Sequence, residues 1–157
     1  MGREVRMVPP DWQHPCDEQG KYIALLGGSF AEAAKGWDEE CAKWNRGEYP
    51  SYASEENKKL TYAEWNGERP RAEDYMPDFA LGSETHFMMY ENTSEGTPIS
   101  PAFATPEELA RWLADTGASA FADQTASYES WLRVAKGGFA CSAVITNGVL
   151  TSGVEAG

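Results

Sequence analysis

The spacing of apolar and polar residues divides the chain into three stretches. The first opens with strand-like alternation: in "REVRMV" (3–8), Val5 and Met7 fall on one side of an extended segment and charged residues flank them. Pro9 and Pro10 follow, and prolines cannot donate to a ladder, so the pattern predicts a short edge strand that stops there. "YIALL" (22–26) is one brief apolar run in a loop closed by Gly27 and Gly28. Over 29–46 the period becomes helical. Phe30, Ala33, Ala34, Trp37, Cys41 and Trp44 share a face, Ser29 with Glu32 reads as a capping box, and Gly47 is the stop. Gly36, in mid-helix, costs up to ~1 kcal/mol relative to alanine. It marks a candidate point of close approach by another element.

The second stretch, 48–85, has no sustained period. Leu60 and Leu81 are its only Leu, Ile or Val, whereas Tyr49, Tyr52, Tyr62, Trp65, Tyr75 and Phe79 supply rings, most beside an acid. Thr61 with Glu64 predicts a short capped helix ahead of Asn66-Gly67. The rest reads as a long acidic-aromatic loop region, either pinned by its rings or partly disordered, and an unstructured loop of that length is unusual without a function.

From 86 on, regular patterning returns. "HFMMYE" sets Phe87 and Met89 against Met88 and Tyr90, apolar on both faces, as an interior strand requires; "PISPAFA" is extended and suited to an edge. Two helices follow, over about 106–116 (Leu109, Trp112, Leu113) and about 126–136 (Tyr128, Trp131, Leu132, Ala135), ended by Gly117 and Gly137-Gly138. "CSAVITNGVLTSG" predicts a hairpin with a type I′ turn at Asn147-Gly148, Thr146 facing Val149 and Ile145 facing Leu150. One side then carries Cys141, Ala143, Ile145, Leu150 and Ser152. The whole reads as a single α+β domain over 1–157, with a small, mainly antiparallel sheet packed by about three helices.

Composition adds limits. The chain's 157 residues suffice for one core, and six Trp, seven Tyr and six Phe provide volume at about 150–250 Å² each. Three widely spaced cysteines and no leader-like N-terminal run point to a reducing, cytoplasmic setting. No apolar run approaches the ~20 residues of a membrane span. A net charge of −12 opposes direct binding to nucleic acid or to anionic membrane and favours a basic protein partner. Acids concentrate before residue 100, with 19 acids against 10 bases, so the first two-thirds is the expected charged face.

Candidate chemistry is sparse. "ENTSEGTPISPAFATPEELARWLADTG" (91–117) gathers Ser94, Glu95, Gly96, Thr97 and Ser100 ahead of a helix, yet it lacks the glycines and cations of a phosphate cradle and the base of a nucleophile motif. Turn residues leading to a helix capped by Thr105, with Pro106 first and Glu108 completing the box, explain it more simply. His14, Cys16, Cys41, His86 and Cys141 are metal-ligand types without metal-ligand spacing, so neither a metal nor a cofactor is expected. Cys41 and Cys141 read as buried fillers. The best enzymatic alternative is a thiol-dependent hydrolase or transferase using Cys141 with His86 or His14. Adjacent acids such as Asp38-Glu39-Glu40 and Glu73-Asp74 point about 100° apart on a helix and read as solvated faces.

"REVRMVPPDWQHP", "SYASEENKKLTYAEWNGERPRAEDYMP" and "YENTSEGTPISPAFATPEELARWLADTGASAF" resemble small acidic proteins of tailed phages and prophages. The resemblance transfers no active residue. It implies an accessory protein in the host cytoplasm, some members of which bind host-defence or nucleic-acid-handling machinery. The expectation is therefore protein–protein binding to a basic host protein or nucleoprotein complex, through Tyr49, Tyr52, Trp65, Asp74, Tyr75 and Asp78, without a catalytic residue. A virion-associated structural component held by oligomerisation is the further alternative.

Overall fold

Strand β1 (Arg3–Val8) organises the sheet. It pairs antiparallel with β2 (His86–Glu91) on one side and with the two-residue β4 (Phe139–Ala140) on the other, and β2 pairs antiparallel with β3 (Thr97–Phe103). The order is β3-β2-β1-β4 in the computed structural model, which describes residues 2–92 and 96–157. β2 is interior and the proline-bearing β3 an edge, as their patterns predict. β1 is not the edge strand its trailing prolines suggest, because β4, unreadable as a two-residue segment, covers its free side at Arg3 and Glu4.

Contacts gather the chain into two compact units, Met1–Gly27 with Asp78–Gly157, and Gly28–Pro77. In the first, period-two alternation gives the sheet two unlike faces. Val5 and Met7 oppose Met89 and Phe87 on one face, beneath α3 (Pro106–Asp115) and α4 (Tyr128–Gly137). There Met89, Leu109, Leu113, Trp131 and Val154 are fully buried. Glu4, Arg6 and Val8 oppose Tyr90, Met88 and His86 on the other face, which the 9–27 loop covers. Thr105 and Ser127 cap the two helices by accepting from the backbone N–H groups of Glu108 and Ser130. Gly138 ends α4 in the left-handed conformation that glycine adopts at least cost.

The predicted hairpin forms in register as β5 (Ala143–Thr146) and β6 (Val149–Ser152), with Asn147 at φ 52° and Gly148 at φ 79°, the positive pair a type I′ turn needs. It is a separate two-stranded sheet followed by the one-turn α5 (Gly153–Ala156). Ile145, Val149 and Leu150 stay exposed, as does Cys141, which precedes the ladder and is not the buried filler expected. The backbone of Cys141 passes so close to Gly153 that no Cβ fits there.

The second unit is built on α1 (Phe30–Asn45), capped by Ser29, and α2 (Tyr62–Asn66). The six residues assigned to the α1 inner face are its only non-exposed positions. Gly36 has open space around it, so close approach does not account for it. Of the three predicted capping boxes, the reciprocal carboxylate bond closes at Thr61, whose N–H donates to Glu64 Oε2 at 2.8 Å. Residues 48–77 are ordered by short helical turns and rings. No helix among the described residues is long and apolar enough to cross a membrane.

Candidate functional site

Trp44 is the centre of the ring surface. It is buried on α1, donates its indole N–H to Leu60 O at 2.9 Å, and stacks on Trp65 of α2 with centroids 4.5 Å apart. Tyr49 meets Trp44 edge-on at 4.7 Å and carries Lys58 over its own ring; Tyr52 lies 6.1 Å from Trp65 and is 78% exposed. Tyr62, buried beneath, joins the same group. Tyr52 thus stands in water beside a stacked, hydrogen-bonded pair of indoles, and a tyrosine offers large contact area with only two side-chain torsions to restrict.

The structure brings Tyr49, Tyr52 and Trp65 together but not the remaining candidates. Tyr75 packs against Phe30 at 5.8 Å, away from that stack. Asp74 accepts from Nε and Nη2 of Arg71, at 3.0 and 2.9 Å. Asp78 is exposed and belongs to the other unit. Trp44 and Tyr62 are not among the candidates: the pattern sets Trp44 on the inner face of its helix and Tyr62 among the rings of the 48–85 stretch, and burial makes both the base of the group.

Charge in the ring-bearing unit is largely paired. The Gly28–Pro77 unit holds 11 acids and seven bases, and each of those seven bases lies within 4.0 Å of a carboxylate. Arg69 grips Asp38 with two bonds of 2.9 Å, and that hydrogen bonding holds the Asp38 carboxyl below its usual range. The other unit has 14 acids against six bases, so most of the negative excess resides there.

The histidines and Cys141 do not meet. His14 is buried with both ring nitrogens engaged, Nδ1 at 3.0 Å from Tyr90 Oη and Nε2 at 2.6 Å from Ile23 O. A carbonyl only accepts, so Nε2 carries the proton, Nδ1 is the acceptor, and Tyr90 O–H donates to it. The Tyr90 oxygen in turn accepts from Trp12 Nε1 at 3.1 Å, and Arg6 lies over the Tyr90 ring at 4.3 Å. Burial lowers the His14 pKa below its ordinary value, and Arg6 adds to that. His86 stands opposite Val8, whereas Ala140, next to Cys141, stands opposite Arg3. Those positions are about 16 Å apart along β1, at ~3.3 Å per residue. The sheet thus holds His86 far from the thiol, and His14 is committed elsewhere.

Among the described residues no group of three or more His, Cys, Asp or Glu is arranged to hold a metal ion. Ser94 and Glu95 lie outside the described residues. Their neighbours have structural roles: Ser100 Oγ accepts from Met89 N at 2.9 Å at a ladder irregularity and donates to Pro101 O. Gly96, at φ 56°, lets the Leu25 backbone pass where a Cβ would stand. No family model, curated protein or solved structure matches the chain.

Proposed function

We propose that the protein acts by binding another protein, with Tyr49, Tyr52 and Trp65 as the contact surface. The carrying observation is Tyr52, left 78% exposed against Trp65 while Trp65 is stacked on buried Trp44. A tyrosine ring has only two side-chain torsions to lose on binding, and such rings concentrate binding energy. The net charge of −12 favours a basic partner and accelerates the encounter at low salt. Because the seven cations of the Gly28–Pro77 unit are paired with carboxylates, the rings supply affinity and the overall negative charge supplies steering. With the resemblance to phage accessory proteins, the partner in view is a basic protein of the host's defence or nucleic-acid-handling machinery.

Affinity capture from host lysate, with the retained proteins identified, tests the reading. The same protein is expected to be retained by the native chain and lost with Tyr52→Ala, a change at an exposed ring that leaves the fold intact. Raising salt from about 0.1 M to about 1 M shortens the screening length from ~10 to ~3 Å and is expected to slow association. Undiminished retention by both Tyr52→Ala and Trp65→Ala would refute it.

A further inference from the structure

We infer that a cavity at the β3 edge of the sheet, between the 9–27 loop and Trp112 of α3, is a binding site for a small, uncharged, planar aromatic ligand. The cavity, of about 690 Å³, is lined by the 9–27 loop, by β2 and β3, and past the β3 edge by Trp112 of α3. Its size falls within the ~300–1,000 Å³ range of small-molecule sites. The ligand class follows from what the walls contain and lack.

Trp12, Tyr22 and Trp112 present rings, and Met88, Ile99 and Pro98 add apolar surface. None of the 13 lining residues is Asp, Glu, Lys or Arg, in a chain that is 24% charged. An ionised ligand would lose its water there and gain no counter-charge, a cost that excludes it in favour of a neutral one. Flat rings on three wall residues favour a planar aromatic occupant through stacked or edge-on contact.

The floor dictates orientation. His14 has both nitrogens engaged, and the Ser100 hydroxyl both accepts and donates within the protein. A ligand group pushed against these atoms finds no free partner. The polar side chains with capacity to spare, Gln13 and Tyr22, are exposed, whereas the Cys16 thiol donates to His14 O. The ring therefore enters first, with its polar substituent toward Gln13 and Tyr22. Preformation follows from the same bonds: the chain Trp12 to Tyr90 to His14 to Ile23, with Arg6 Nη1 donating to Leu25 O at 2.8 Å, pins the covering loop to the sheet. A site already open and rigid spends little of its binding energy on ordering.

Indole-3-carboxamide and indole-3-carboxylate, nearly the same shape but neutral and anionic, are the probes. Each is titrated into the full chain while the six tryptophan N–H resonances are followed by NMR. Saturable shifts are expected at Trp12 and Trp112 but not at Trp37, Trp44 or Trp65, with the carboxamide at least about tenfold tighter than the carboxylate. Cys16→Trp, which fills the mouth, is expected to weaken the carboxamide at least about tenfold. Tyr22→Ala removes a wall at an exposed position and is expected to weaken it about threefold or more. The inference is overturned if the carboxamide gives no saturable shift, if the two probes bind equally, if the shifts fall on Trp44 and Trp65, or if neither folded variant alters binding.

Discussion

The two faces of the four-stranded sheet are covered by different means. On one, α3 and α4 bring Leu109, Leu113 and Trp131 onto Val5, Phe87 and Met89, and burial of apolar surface holds the layers together. On the other, an irregular loop takes the place of helices, and its attachment relies on directed bonds to Tyr90, His14 and Arg6. Apolar packing tolerates changes of pH and of partner geometry; a hydrogen-bond chain with one assigned tautomer does not. The lesson is that a loop can cover a sheet only if its polar backbone is satisfied, and here buried His14 and Arg6 satisfy it through Ile23 and Leu25. The Gly28–Pro77 unit is a third solution, rings rather than aliphatics, with ion pairs at its rim.

The sharpest break of this contrast is expected on the helical face. Leu113→Ala, at a fully buried site, should cost about 2–5 kcal/mol in urea unfolding. On the loop face, Gly96→Ala forces a side chain into a left-handed position against the Leu25 backbone. A loss of roughly 1–3 kcal/mol is expected, with faster tryptic cleavage at Lys21 as the loop lifts. Tyr90→Phe removes the acceptor of Trp12 and the donor to His14, for roughly 1–3 kcal/mol.

Smaller still is the pH effect. The folded His14 pKa is lowered by burial, so its contribution is complete above the unfolded value of about 6.5. As pH falls below that value the unfolded chain takes up the proton first, and stability drops until the folded His14 is itself protonated. Urea midpoints measured between pH 7.5 and 5 should show this decline in the native chain and less of it in His14→Gln. Smallest is Tyr52→Ala, expected within about 0.5 kcal/mol of the native chain because its ring is exposed. A larger loss would mean that Tyr52 supports the stack rather than being presented by it.

Legibility followed the range of the interaction. The α1 inner face, the Ser29, Thr61 and Thr105 caps, and the Asn147-Gly148 turn were readable because each depends on residues within about one turn. The ion pairs Lys58–Glu55, Lys59–Glu56 and Arg71–Asp74 are local too, and they explain why an acid-rich stretch is less negative than its acid count suggests. The edge placement of β1 failed because a strand's neighbours are chosen by distant segments. Tyr49, Tyr52 and Trp65 cluster, while Asp74 and Tyr75 of the same unit take Arg71 and Phe30 as partners, for the same reason.

What the residues alone determined is the main helices, strands β1 to β3 and the hairpin, with the inner face of each main helix, since period, caps and turn residues act over three or four positions. What only the tertiary structure decided is the company those residues keep. His14 meets Tyr90 across 76 positions and Arg69 meets Asp38 across 31. Hydrogen bonds and charge pairs at such separations depend on the assembled backbone, and no local pattern encodes them.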